Sequence, residues 1–504
     1  MSRRPHVALV AFYFPPSRAS GVYRMLALAN YLVRTGWDVT VITVTEDFFD
    51  RITRSSDPSL LDAVDPAVTI ERVPLPMHHL EQDLRRYGWF RGHYPGVHKR
   101  VVRRLTNRLW CDQYGSWVPG VLRRLLKVHA QRRIDLTIAT GNPYSCYQAV
   151  WGFRKATGVP YVLDSRDSWT LNLFTGEQAF PPGHAAYDWE RRTFADAELI
   201  SFVNTPLLQW HQREYPQDAD KMMVVANGYD EASTAALVPG AASDLPDRSV
   251  DVRESAEAAA ANSDLEPDNE VADDGGGHER PVHLGYVGTL TANQPHRVVW
   301  EGWRRAKHEG RLAGAVADLY GHLGFFGVSA AVRNMLPLRD ASQQVTWHGA
   351  VEKADIANAY ASLDVLIMIV ADSPFVTSGK VFEYMSTGKP VLGLYEPDCA
   401  VADVLDDYPL LVRTRSLDPD DIADAFVEVV DLARRVTEEQ RKAARLYATR
   451  FERTRQLAPL ERRLRTIVTR RDGRPRAGRQ ETAEPPSGQT TEQPTGRVSA
   501  RSAG

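Results

Sequence analysis

Short apolar runs rich in valine alternate along this chain with stretches of helical period. Residues 6–12 read HVALVAF and 38–44 read DVTVITV, and between them a helical pattern runs from Tyr23 to Arg34 and ends near Gly36. This predicts a strand, helix, strand unit. The alternation returns at IDLTIAT (134–140), with a helix beginning near Tyr144, and then at PYVLDSR (160–166), ELISFVN (198–204) and KMMVVAN (221–227). A second series starts at VHLGYVG (282–288), followed by a helix near Pro295–Glu309, AVADLYG (315–321), QQVTWHG (343–349) and a helix over Lys353–Leu363. It continues through DVLIMIV (364–370), a helix opening at Ser378, and PVLGLY (390–395). Near-continuous apolar strands separated by helices imply parallel sheets covered on both faces. The expected fold class is α/β, with two doubly wound, Rossmann-like domains.

Composition sets the boundaries. The first domain is expected over residues 1–232 and the second over 281–430, with further helices over 431–470. Between the domains, 233–280 holds 12 acids against three arginines, has no aromatic residue and closes on Gly-Gly-Gly. Such a segment buries too little apolar surface to order itself and reads as a disordered acidic linker. The Pro/Gly/Ser/Thr-rich stretch 471–504 reads as a disordered tail. Cys111, Cys146 and Cys399 are far apart and in no metal-ligand spacing, so reduced thiols are expected. No apolar run approaches the roughly 20 residues that span a bilayer. The N-terminus turns at once into Pro15 and Pro16 instead of a cleavable apolar segment, and a cytoplasmic location is expected.

The net charge of −3 hides an asymmetry: residues 85–133 contain 13 Lys/Arg and one acid, Asp112. Trp89, Phe90, Tyr94, Trp110 and Trp117 interleave with these charges. Two readings stand: an anionic membrane surface, where aromatics sit among headgroups, or a solvated helix face with its aromatics turned into the core. No nucleic-acid-binding motif accompanies the stretch, so no nucleic acid is expected.

Ligands of open α/β sheets bind outside the carboxyl ends of the strands, so the residues that follow each strand carry the candidate chemistry. After the first strand, FPPSRASGVYR (14–24) has Gly21 for close approach, and Arg18 or Arg24 to reach a phosphate or carboxylate; the alternative is an arginine paired with a core carboxylate. Gly141-Asn142-Pro143-Tyr144 is a turn that exposes backbone and one amide side chain. DSRDSW (164–169) sets two carboxylates about one arginine, as a polar site or as an ion-pair turn. The stretch SGKVFEYMSTGKPVL (378–392) offers the most. Ser378 is a candidate cap, Gly379 lets a phosphate approach the backbone, Lys380 adds a cation, and Glu383, one turn on, presents two acceptor oxygens to vicinal hydroxyls. A capped surface helix with an ordinary lysine and glutamate is the plainer reading.

In order and spacing, FYFPPSRASGVYR, TGNPYS, VLDSRDSW, VVANGYD, YVGTL, WHGAVEKADIANAYASLDVLI and SGKVFEYMSTGKPVL resemble a GT-B glycosyltransferase of the retaining GT4 type, over nearly the whole chain outside linker and tail. The resemblance implies a GT-B architecture in which the first domain receives the acceptor, the second holds a nucleotide-sugar donor, and catalysis occurs in the interdomain cleft. It implies that Glu383 binds the donor ribose, that Ser378, Gly379 and Lys380 meet the diphosphate, and that Gly21 faces the donor phosphates, with Arg24 beside it. Asn142 and Asp167 would line the acceptor side, giving Glu383, Lys380, Asp167 and Asn142 as the catalytic set. The closing helices would cross back to the first domain, anchored by Phe451.

Two departures stand out. The family's paired-glutamate pattern wants a glutamate where this chain has Phe375, with Asp372 or Ser373 as substitutes, and the basic pair after the first strand of the second domain is missing from Gly288-Thr289-Leu290-Thr291. Arg297 and Lys380 would replace those charges, with Gly288 and Thr289 still lining the donor. No Asp-x-Asp occurs where a metal-bound nucleotide would be expected, so no metal and no cofactor beyond the donor is expected. The implied function is sugar transfer to a glycan or lipid-linked acceptor in cell-surface polysaccharide or glycoconjugate synthesis, at the cytoplasmic membrane face. The alternative is a degenerate GT-B scaffold that binds nucleotide or glycan. A GT-B epimerase would use a histidine and acid set that this sequence does not present.

Overall fold

A computed structural model describes residues 3–76, 83–109, 112–230, 280–324, 329–351 and 355–472. The first domain is a seven-stranded sheet of β1 (His6–Val10), β2 (Asp38–Val44), β3 (Thr69–Val73), β4 (Leu136–Gly141), β5 (Tyr161–Ser165), β6 (Leu199–Phe202) and β7 (Met222–Val224), in the order β3-β2-β1-β4-β5-β6-β7. The second is a six-stranded sheet of β8 (Val282–Val287), β9 (Ala315–Tyr320), β10 (Val345–Gly349), β11 (Val365–Ile369), β12 (Val391–Leu394) and β13 (Leu411–Arg413), in the order β10-β9-β8-β11-β12-β13. All pairings are parallel, as the apolar runs require. Strand order reverses between β1 and β4 and between β8 and β11, which opens a crevice at the carboxyl ends of each sheet.

Two edge strands, β3 and β13, were not expected. The sequence of β3, TIERV, is only partly buried and lacks the continuous apolar run of a central strand. The expected helix over Lys353–Leu363 is shorter, Ile356–Ser362, and residues 352–354 lie outside the described residues. Also outside them are Trp110, Cys111, the acidic linker apart from Arg280, and 473–504 of the tail.

The helix Arg453–Asp472 belongs to the first domain by packing. Leu457, Leu460, Leu464 and Val468 join Val7, Leu9 and Leu28 in one core, and buried Trp37 donates its indole N–H to Glu461 Oε1 at 2.9 Å. At the crossing, the Phe451 ring meets Phe382 at 5.2 Å and Tyr447 at 6.1 Å, and its carbonyl accepts the Tyr229 N–H at 3.1 Å. The domains touch again at residues 373–377. Asn204 donates from Nδ2 to the Phe375 carbonyl (2.8 Å) and to Thr377 Oγ1 (3.0 Å), the Ser373 hydroxyl donates to the Leu173 carbonyl, and the Phe375 ring packs on the first-domain core.

Candidate functional site

Lys380 opens the helix Lys380–Ser386, which follows β11 across the loop 370–379. Its ammonium lies 3.0 Å from the Tyr286 hydroxyl and 4.7 Å from the centre of that ring. Tyr286 is fixed in turn: its hydroxyl donates to the Thr289 carbonyl at 3.0 Å and accepts from Gln294 Nε2 at 2.9 Å. Gly288, at φ +144°, makes room, since a Cβ there would fall 1.7 Å from Lys380 Nζ. Gly288 and Lys380 therefore form one unit, and any larger residue at 288 would displace the ammonium.

Glu383 sits one turn further on. One carboxylate oxygen accepts the Tyr360 hydroxyl at 2.9 Å. Burial, then the Glu383 charge, keeps that phenol protonated well above its ordinary range. Among the described residues neither Lys380 nor Glu383 has an ion-pair partner, although the two share the first turn of one helix. In the first domain, burial, then the charges of Asp57 and Glu383, raise the Tyr23 phenol pKa.

Ser378 does not cap the helix. Gly379 holds the cap position without a side-chain bond, and Ser378 contributes only its carbonyl, to the Val381 N–H at 3.2 Å. Gly379 keeps an ordinary backbone conformation with open space around it, so a ligand has access to its backbone. Thr289 is half-buried, and Arg297 is exposed, in the first turn of the helix His296–His308.

Arg24 is not a cleft residue. It is 5% exposed, and its guanidinium is committed to Asp164 (2.7 Å) and to the carbonyls of Val225 (2.8 Å) and Ala226 (3.2 Å). Burial would raise the Asp164 pKa, but the charge and hydrogen bonds of Arg24 and the Ser201 hydroxyl bond outweigh it and hold the carboxyl below its ordinary range. The arginine enclosed by DSRDSW points elsewhere. Arg166 donates to the carbonyls of Gly141 (3.0 Å) and Asn142 (2.9 Å) and occupies the space beside Gly21, where a Cβ would lie 1.8 Å from Nη1. Gly21 therefore admits a guanidinium of its own domain, and DSRDSW is not an ion-pair turn, since Asp164 pairs with Arg24 and Arg166 with backbone carbonyls.

Arg166 is the functional candidate that sequence reasoning passed over; its signal was an arginine just after a strand end, beside two carboxylates that do not neutralise it. Asn142 is exposed, and Asp167 is half-buried with its backbone carbonyl accepting the Ser165 hydroxyl at 2.8 Å. Arg166 thus gathers Gly21 and Asn142 at the carboxyl ends of β1 and β4. Ser373 cannot stand in for the glutamate absent at 375: its hydroxyl is fully buried, donates to Leu173 and receives the N–H groups of Phe375 and Val376 at 3.2 and 3.1 Å. Asp372 remains exposed.

A glycosyl transferase 4-like domain model matches residues 21–228, and a glycosyl transferases group 1 model matches 281–431. No curated protein sequence matches the chain. Among solved structures, a glycosyltransferase from Rickettsia africae aligns at TM-score 0.59 and 12% identity over 93% of this chain and 99% of its own. Anabaena HepE, solved with UDP and glucose, aligns at 0.53 and 12% over 92% and 100%. A UDP-N-acetylglucosamine 2-epimerase aligns at 0.50 and 14% over 94% and 99%. At such identities these likenesses concern the GT-B fold alone.

Proposed function

This chain belongs to the glycosyl transferases that join a 4-like N-terminal domain to a group 1 C-terminal domain, and on that premise we propose that it moves a sugar from a nucleotide-diphosphate donor to a glycan or lipid-linked acceptor. One observation carries the reading: a cation and a carboxylate on the same helical turn, each held by a tyrosine hydroxyl and neither neutralised among the described residues. A structural lysine and glutamate so placed would be expected to pair with each other or with neighbours. A nucleoside diphosphate satisfies both, with its phosphates at Lys380 and its ribose hydroxyls on the free oxygen of Glu383. HepE binds a ligand of this class on the same fold.

The donor lies against Gly288, Thr289, Ser378 and Gly379, with Arg297 in reserve for the distal phosphate. The acceptor enters over Asn142 and Asp167, with Arg166 as a further cation beside Gly21. Transfer proceeds with retention and without a metal: the leaving diphosphate takes the acceptor proton, while the protein aligns the reactants and stabilises the developing charge. Lys380→Ala is expected to lower kcat by about 10²–10³-fold. Glu383→Ala is expected to weaken donor binding by roughly 10–150-fold, the equivalent of one charge-assisted hydrogen bond. Lys380→Ala should keep the wild-type melting temperature, whereas Glu383→Ala strands the buried Tyr360 hydroxyl and should lower it by a few degrees. Unchanged turnover in both would overturn the assignment, and a complete lack of donor hydrolysis by the wild-type protein would favour a binding scaffold.

A further inference from the structure

Between β3 and β4 the chain makes an excursion that the transferase reading does not use. It leaves the carboxyl end of β3 at Val73 and returns through the helix Val118–Gln131 to β4. Its two ends are pinned together, because the buried Trp117 indole donates to the Val73 carbonyl at 2.9 Å. Its inner end is fastened to the acceptor side: the Asp112 carboxylate accepts the Ser145 N–H at 2.8 Å and the Ser145 hydroxyl at 2.9 Å, at the start of the helix that follows Asn142. Among the described residues between them, most of 84–104 is exposed, and the helices Trp89–His93 and Pro95–Leu109 pack on each other.

The aromatics therefore divide. Trp117 is core, but Trp89 is 69% exposed and Leu84 75%, and Phe90, Tyr94, Val97 and Val101 are exposed with them. Lys99, Arg100 and Arg104 stand exposed beside these apolar groups and pair with no acid among the described residues. From residue 84 to residue 111 the sequence has no acid at all. Tryptophan, tyrosine and aliphatic side chains beside unneutralised Lys and Arg match the boundary of an anionic bilayer, where rings enter the headgroup layer and cations meet lipid phosphates.

We propose that residues 84–104 dock this enzyme on an anionic lipid surface, and that the excursion holds the rim of the acceptor side against it. A lipid-linked acceptor is then met at the membrane plane beside Asn142 and Asp167. The inference deepens the transferase reading, yet vesicle binding and donor turnover are separate measurements, so either can fail alone. The test is co-flotation of the full-length protein with phosphatidylcholine vesicles and with vesicles that also contain phosphatidylglycerol, at low and high salt. The expected result is binding to the anionic vesicles only, weakened by salt.

Lys99→Gln/Arg100→Gln/Arg104→Gln should lower the partition coefficient by about 10²-fold, at about fivefold per cation. Trp89→Ser/Phe90→Ser should lower it on the same vesicles without changing the salt dependence. Both variants should keep the wild-type melting temperature and donor hydrolysis. Equal binding to neutral vesicles, no binding by the wild-type chain, or binding to heparin or RNA in place of vesicles would overturn the proposal.

Discussion

Arg24 and Lys380 carry the same charge and occupy the first turn of a helix that follows a central strand, yet they do opposite things. What separates them is the partner. Asp164 reaches Arg24 from 140 residues away and neutralises it in the core, whereas Lys380 meets only a phenol. The local pattern shows a cation near a helix start; it does not show which cation the folded chain leaves unpaired. For the same reason Lys380 and Glu383 were legible, since their relation lies within one turn, and Arg166 was not, since its partners come from another loop. Arg24→Ala would strand a buried carboxylate and should cost about 3–5 kcal/mol in denaturant unfolding. The Asp164 pKa is lowered in the folded state, so this stabilisation is present above the ordinary carboxylate range and is lost as pH falls through the lower folded value. Without Arg24, burial acts on Asp164 with less to oppose it, so the carboxyl takes up its proton at a higher pH than in the wild-type chain. The deficit of the variant should therefore shrink toward acid pH, and a deficit that stays constant with pH would mean that the pair is not the source of the stability.

At the scale of elements, the sequence was read most truly where strands are buried on both faces. DVTVITV and DVLIMIV could be seen as central strands because no charge interrupts them after the leading aspartate, while TIERV at the sheet edge could not, because its partly exposed face tolerates Glu71 and Arg72. The same limit applies to the helix Arg453–Asp472, whose sequence is crowded with arginine and whose apolar positions make sense only against the first domain. Leu464 is fully buried there, in a core built otherwise from β1, the helix Val22–Arg34 and their neighbours. Leu464→Ala is expected to cost about 2–5 kcal/mol in chemical denaturation. A loss below about 0.5 kcal/mol, the size of a surface substitution, would show that the helix does not contribute to that core.

At the scale of the whole molecule, the loop that carries Lys380 is also the loop by which the two domains meet. Phe375 packs on the first-domain core, its carbonyl accepts from Asn204, and three residues later the chain enters Ser378-Gly379-Lys380. The position where the family pattern wants a glutamate is thus an apolar contact in this chain. A carboxylate there would be desolvated against that core, so the contact favours the ring. Domain approach and the shape of the loop that leads to Lys380 then depend on the same side chain. Phe375→Ala removes a partly buried ring worth roughly 1–2 kcal/mol, which shifts a closed-to-open equilibrium by about 5–30-fold. The expected outcome is a larger radius of gyration in small-angle scattering together with a fall in kcat/KM for the donor, at a nearly unchanged melting temperature for each domain. If the variant scatters like the wild-type protein and turns over as fast, the Phe375 contact does not govern how the domains close, and the loop that leads to Lys380 must be set from within the second domain alone.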